Sequence, residues 1–269
     1  MRHFLPTALF ALGALIPSSC AMGAMEQPTD AERATFDTAS AATVSLQQLG
    51  VLADNLFDFG FAIDPRATDA GNAMNVALAL QTRFQGCGTV TTSGSMVTVD
   101  LPIAGCTGRS GTVLTGTVTM TITRVGPDTV IASAFPTTTV DGYAISGMVS
   151  FSTASGSHFA ASGTVTGGGV TITMGDRTIA YDGTGTTFSI DGGVSINNGT
   201  NTASAMIAGA NQTLGDCYVH SGTTTITTAA GTQTVTFGAQ TATTGAATFT
   251  HADRTFTLPL LAHGNCPAH

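Results

Sequence analysis

The sequence of 269 residues contains no lysine and no tryptophan, and only 9% of its residues are charged, compared with about a quarter in a typical soluble domain. Eight arginines stand against 16 acidic residues, which gives a formal net charge of −8. Binding to nucleic acid needs a basic surface that neutralises phosphates. The composition therefore argues against a nucleic-acid partner, and the acidic excess alone identifies no other partner.

Scarcity of charge does not indicate disorder in this chain. Disordered segments combine low charge neutralisation with low hydrophobicity, whereas 42% of these residues are hydrophobic and the mean hydropathy is +0.28. Threonine is abundant, and its β-branched side chain suits a pleated surface. The composition favours a threonine-rich β protein that is long enough for one domain with a sizeable core.

The N-terminus has the pattern of a secretory signal. Arg2 and His3 precede an apolar run of residues 4–16, which is too short to span a bilayer as a mature helix. The following segment, residues 17–21, has the sequence PSSCA and resembles the lipobox of bacterial lipoproteins, with proline where leucine is usual. We predict a signal peptide over residues 1–19 and lipidation of Cys20. The alternatives are cleavage after Gly23 with soluble secretion, and an uncleaved anchor.

Five cysteines are present, which leaves one unpaired in an oxidising compartment. If Cys20 carries the lipid, an even set remains: Cys87, Cys106, Cys217 and Cys266. Of the three possible pairings we favour Cys87–Cys106 and Cys217–Cys266, because each pair brackets one block of strands. Reduced, buried thiols are the alternative. No C-x-x-C or clustered Cys/His spacing indicates zinc.

Helical patterns precede the β region. We assign residues 20–33 to a tether and residues 34–85 to a helical segment, with Thr29 or Asp30 as a possible N-cap where the pattern turns helical. The apolar stripe of the first helix comprises Val44, Leu46, Leu49, Leu52 and Leu56. The second helix, Thr68 to Phe84, uses Met74, Val76, Leu78, Leu80 and Phe84. We expect both helices to pack on one face or end of a sheet; alternatively, they only link it to the membrane.

Residues 86–269 alternate with a period of two, which predicts strands. Val118, Met120 and Ile122 should face a core, with threonines opposite. The Asn-Asn-Gly sequence at 197–199 predicts a hairpin, and a later strand is expected over 218–228. The fold class is therefore mainly β: an antiparallel meander of about a dozen strands, arranged as a sandwich or a large curved sheet.

One block carries a family resemblance. The segments CGTVT at 87–91, VTVD at 97–100, GCTG at 105–108 and GTVT at 116–119 together resemble a block of uncharacterised bacterial exported lipoproteins. The segments around Cys217 and Cys266 resemble the second cysteine block of that group, while an Asp-Gly pair expected before Arg109 is missing. The resemblance implies a secreted, mostly β protein and implies no activity.

No motif predicts a catalytic residue, a metal site or a cofactor. Five histidines are scattered, and we expect them to be solvated or hydrogen-bonded within the sheet: His158, His220, His251, His263 and His269. Three aspartates near turns lack calcium-loop spacing: Asp176, Asp182 and Asp191. The threonine row over 117–123 resembles some ice-binding faces, but the irregular turn spacing favours simple solvation of an outer sheet face.

These patterns predict a non-enzymatic protein of the cell envelope with a structural, adhesive or ligand-binding role. It would be exported and held at the outer membrane by the lipid on Cys20, or else be periplasmic or secreted, and no protein or glycan partner can be named. One alternative is a secreted carbohydrate-active hydrolase with a carboxylate pair across strands. Another is a carrier of an apolar ligand, which would need a large closed apolar pocket.

Overall fold

A computed structural model of the chain describes residues 27–56, 63–108, 111–153, 158–181, 187–199, 202–213, 216–228 and 231–260. The helices are α1 (Asp30–Leu56), α2 (Asp69–Arg83) and the short α3 (Thr241–Thr244). The strands are β1 (Thr89–Ser93), β2 (Met96–Thr107), β3 (Val113–Val125), β4 (Asp128–Val140), β5 (Tyr143–Ser152), β6 (His158–Gly167), β7 (Val170–Tyr181), β8 (Thr187–Asn197), β9 (Thr202–Thr213), β10 (Ser221–Thr228), β11 (Gly231–Phe237), β12 (Ala246–His251) and β13 (Arg254–Pro259).

All thirteen strands belong to one antiparallel sheet in which each strand pairs with its neighbours in sequence, from β1 at one edge to β13 at the other. The predicted mainly β meander is confirmed, in the form of a large curved sheet. Val118, Met120 and Ile122 of β3 are fully buried, and the threonines between them lie on the more exposed face. The alternation of side chains along a strand thus gives the sheet an inner and an outer face.

Helix α1 lies inside the curve of the sheet. Seven consecutive residues of the helix, 39–45, are all buried. Because successive residues are rotated by about 100° around a helix axis, seven of them cover every side of it. These residues are mostly Ala, Ser and Thr, whose small side chains allow the surrounding backbone to approach closely.

The positions along α1 show how strongly the sheet curls. Gln47 bonds to Gln212 of β9, and Asn55 packs against Gly108, just after β2. The interval from Gln47 to Asn55 is about 12 Å of helix, whereas β9 and β2 would lie about 34 Å apart in a flat sheet. The sheet therefore wraps around the helix.

Irregular pairing accompanies this curvature. Seven of the twelve strand pairings contain a shift of register, and such bulges increase local twist and bending. At the β3–β4 shift, Gly116 has a φ of +90°, and a Cβ there would collide with the carbonyl of Thr137. Only glycine permits this close approach.

Polar side chains of α1 meet polar side chains on the inner face of the sheet. Thr43 Oγ1 lies 3.3 Å from Thr224 Oγ1, and Gln47 Nε2 donates to Gln212 Oε1 at 2.9 Å. Gln212 Nε2 in turn donates to the carbonyl of Asp216 at 2.7 Å. Buried polar groups need such partners, so these bonds favour one rotation and one depth of the helix within the sheet.

Helix α2 packs against β1, β2 and β3. Thr68 is its N-cap and accepts from the Gly71 amide at 3.1 Å, so the predicted helix is confirmed nearly to its ends. The prediction that Met74 and Leu78 belong to the apolar contact face was wrong, because they are 58% and 57% exposed. Both helices share one core with the strands, and neither is merely a link to the membrane.

Two predicted boundaries also differ from the structure. Residues 30–33, assigned to the tether, form the first turn of α1. The strand predicted over 218–228 begins only at Ser221, and Tyr218 and Val219 before it are buried outside the sheet. Within the described ranges, no helix combines the length and the apolar character needed to cross a membrane.

Candidate functional site

The strongest concentration of charge and aromatic side chains lies where α1 begins. Thr29 and Glu32 form a capping box: Glu32 N donates to Thr29 Oγ1 at 3.3 Å, and Thr29 N donates to Glu32 Oε2 at 2.8 Å. This reciprocal arrangement satisfies amides that the helix itself leaves without acceptors. The sequence T-x-x-E at 29–32 thus fixes both the start of α1 and the orientation of one carboxylate.

That carboxylate binds the hairpin of the last two strands. Arg254 Nη1 donates to both oxygens of Glu32, at 2.9 and 2.8 Å, and His251 Nδ1 lies 3.1 Å from Glu32 Oε1. The Glu32 side chain is 5% exposed. Glu32, His251 and Arg254 are hereafter called the hairpin cluster. It joins residues 222 positions apart in the chain.

The pKa of Glu32 is lowered to about 2. The largest cause is the hydrogen bond from the Thr29 amide, followed by the bond from His251, while the charge of Arg254 adds to the shift and desolvation opposes it. Glu32 is therefore an ionised acceptor at neutral pH and cannot act there as a proton donor. Chemically, the hairpin cluster is an ionic anchor between α1 and the sheet.

Aromatic packing reinforces the same contact. The Phe36 ring meets the Phe249 ring edge-on at a centroid distance of 5.8 Å, and Phe249 stacks on Phe256 at 6.3 Å. The Arg254 guanidinium lies 4.8 Å from the centroid of Phe256, which is within the range of cation–π attraction. One side chain, Arg254, thus links the ionic and the aromatic parts of the contact.

A groove with a volume of about 630 Å³ runs beside this contact. One wall is the segment 253–258, which includes most of β13, and the other is Gln27 and Pro28, just before α1. Arg254 Nη2 donates to the carbonyl of Gln27 at 2.8 Å and closes the floor at one end. The volume lies within the range of binding clefts, and an edge strand forms its wall.

The predicted disulfide between Cys87 and Cys106 is present, with a Cα–Cα distance of 5.7 Å. It joins the segment before β1 to the far end of β2. Cys217 is also disulfide-bonded. Its predicted partner Cys266, and the predicted lipidation site Cys20, lie outside the described residues.

The other predicted residues are distributed over the sheet. His251 belongs to the hairpin cluster, His220 donates its amide to Asn211, and Asp191 accepts from the Gly209 amide at 2.5 Å. The structure does not describe the following side chains: His158, Asp176, Asp182, His263 and His269. In the part of the chain that it does describe, no group of three His, Cys, Asp or Glu side chains could hold a metal.

Sequence reasoning placed Glu32 in the first helical turn but did not foresee its partners. The capping box T-x-x-E was the available local signal. No sequence signal joins Glu32 to Arg254 across 222 residues. Comparison with protein families, with curated proteins and with solved structures finds no match for this chain.

Proposed function

We propose that the protein is a non-enzymatic component of the bacterial cell envelope, exported and anchored by a lipid on Cys20, with a structural, adhesive or ligand-binding role. The observation that carries this proposal is the enclosure of α1. The helix occupies the concave side of the sheet, where a curved β scaffold could otherwise hold a substrate or an apolar ligand. The outer surface and the edges of the sheet then remain for binding.

The hydrolase alternative needs two carboxyl groups about 5–10 Å apart at a cleft, one of them able to donate a proton. Asp253 lines the groove, but the nearby Glu32 is bound by Arg254 and its pKa is lowered to about 2. A carboxylate held in this way does not supply the acid. The described groove therefore gives this alternative no support.

The carrier alternative needs a closed apolar cavity. The groove beside β13 is open, and charged Asp253 and Arg254 and two threonines, Thr255 and Thr257, are part of its wall. An apolar ligand would leave these groups without water or partners. The groove suits a polar or peptide-like occupant better than a lipid chain.

A lipid on Cys20 would also orient the molecule. Seven positions separate Cys20 from Gln27, and an extended chain spans at most about 3.5 Å per residue. The start of α1 and the β12–β13 hairpin would lie within about 25 Å of the membrane surface. The proposal thus predicts that the hairpin cluster is on the membrane-proximal side.

Intact-mass analysis of the protein extracted from membranes, with and without reduction, tests the proposal. We expect a diacylglyceride thioether on Cys20 and a mass increase on reduction that corresponds to two disulfides. The matched control is Cys20→Ser, which should leave the disulfides intact and release the protein from the membrane fraction. A mature N-terminus beyond Cys20 without lipid would contradict the anchor.

A further inference from the structure

The last strand leaves part of its backbone without partners. Leu260 N donates to the carbonyl of Gly245, and β12 pairs with β13 in the register that follows from this bond. Bonded and non-bonded pairs alternate along an antiparallel ladder. Arg254, Phe256 and Leu258 therefore bond to β12, while Thr255 and Thr257 direct their amides and carbonyls to the open edge. Within the described residues no backbone bond outside the sheet reaches either threonine.

The opposite edge of the sheet differs in this respect. By the same alternation, Val90 and Thr92 of β1 point outward, and Gln81 of α2 donates to the Val90 carbonyl at 3.3 Å. An outward acceptor of β1 is thus already occupied by a side chain of the same molecule. Pairing of β1 with β13 of another molecule would be obstructed there, so chains of molecules joined head to tail are disfavoured.

We propose that β13 pairs antiparallel with β13 of a second copy of this chain and forms a two-fold dimer with a continuous sheet. The two copies would use the same edge, and such a self-complementary contact closes at two molecules. The inference goes beyond the proposed function and is independent of lipidation at Cys20. A strand edge buries less area than a standard stable interface, so association should be weak and concentration-dependent.

The sequence of β13 selects the register of this pairing. When Phe256 lies on the two-fold axis, Thr255 of each copy is opposite Thr257 of the second copy, and their outward amides and carbonyls meet. Arg254 is then opposite Leu258 of the second copy, so that no like charges face each other. A parallel pairing in register would oppose Arg254 to Arg254 and Asp253 to Asp253, which costs stability.

Both faces of the edge fit this arrangement. On the outer face, Thr250 Oγ1 lies 3.4 Å from Thr255 Oγ1, and Thr257 of the second copy would continue this row of threonines. On the inner face, Phe256 and Leu258 line the groove of about 630 Å³. The same side chains of the second copy would enter that space and cover partly exposed aromatic surface.

The first experiment is sedimentation velocity of the processed protein over a concentration series, with Cys20→Ser to prevent lipidation. Thr257→Pro removes an outward amide and places a ring at the open edge, where proline is tolerated by the fold. The matched control is Thr92→Pro, which removes an outward amide of β1. We expect a wild-type dimer, dimerisation at least about tenfold weaker in Thr257→Pro, and no change in Thr92→Pro. A wild-type monomer at every concentration would overturn the proposal, as would a Thr257→Pro protein that dimerises normally.

A second experiment tests the register even if Thr257→Pro does not fold. Thr255→Cys and Thr257→Cys are mixed under mild oxidation, because Cα atoms of a bonded antiparallel pair lie about 5.5 Å apart, within disulfide range. We expect the mixture to form a cross-linked heterodimer, while each variant alone stays uncross-linked. Equal cross-linking of the single variants, or none in the mixture, would reject the pairing centred on Phe256.

Discussion

At the β1 edge of the sheet, a disulfide fixes the end of the first hairpin, α2 packs over the inner face and Gln81 bonds to the strand backbone. At the β13 edge, the hairpin cluster and three phenylalanines hold the inner face, but Thr255 and Thr257 keep outward backbone groups. The comparison separates two requirements. Anchoring a terminal strand to the core does not by itself protect its edge from another strand.

The anchors at the two edges also differ in kind. The disulfide is covalent and insensitive to acid, whereas the hairpin cluster depends on an ionised carboxylate. Each anchor can therefore be removed separately, and the effect on the opposite edge shows whether the sheet behaves as one cooperative unit.

Removal of aromatic packing beside β13 should have the largest effect. Phe36 is fully buried against Phe249, and Phe36→Ala should lower the free energy of unfolding by about 3–5 kcal/mol. Urea denaturation measures this change. The control is Met148→Ala on the outer face, where the side chain is exposed and the change should stay within about 0.5 kcal/mol. Similar losses for both variants would contradict the assignment of inner and outer faces.

Loss of the disulfide at the β1 side should follow. Cys87 and Cys106 close a loop with a sequence separation of 19, and Cys87→Ala with Cys106→Ala should cost about 3 kcal/mol, because the unfolded chain gains freedom. The urea midpoint should fall in the double variant, and the acid sensitivity described next should persist. An unchanged midpoint would show that the bond carries no stability.

The hairpin cluster should show a distinct dependence on pH. The pKa of Glu32 is lowered from 4.5 to about 2 in the folded protein, so its contribution is complete above the unfolded value and disappears as pH falls through the folded value. Glu32→Gln should be less stable than the wild type at pH 7, and the two urea midpoints should converge between pH 4.5 and 2. Asp253→Asn, at the same hairpin, is the control. A gap that is constant with pH would reject the ionic anchor.

The smallest effect on stability is expected at the β1 edge itself. Gln81→Ala removes one partly exposed bond to Val90 and should change the free energy of unfolding by no more than about 0.5 kcal/mol. Its effect on association is more informative. In a Thr257→Pro background, Gln81→Ala should allow some concentration-dependent association through β1, measured by sedimentation. A strictly monomeric double variant would mean that other features protect β1.

The sequence predicted the strands where apolar residues alternate cleanly, as at Val118, Met120 and Ile122, because one face of each strand must be buried. It predicted α2 because Thr68 is a strong N-cap. It misplaced Met74 and Leu78, because a short list of apolar residues does not state which side of a helix meets the sheet. Helical rotation is fixed only by the packing of Val76 and Leu80 in three dimensions.

The enclosure of α1 was beyond sequence reasoning for another reason. The buried turns consist largely of Ala, Ser and Thr, which are equally common on solvated helices, and no apolar run marks them as central. The hairpin cluster was hidden because its members are far apart in the chain. Local patterns specify elements, while contacts between distant residues decide which of them meet.

The enclosure of α1 also imposes an order on folding. Each strand of the meander pairs with the strand before it, so the sheet can grow from locally formed hairpins. The bond from Glu32 to Arg254 spans 222 residues and becomes available only when the whole chain has arrived. A chain still emerging during export would carry a helix that is wrapped but not yet locked. Completion of the last hairpin would be the event that commits the molecule to its final shape.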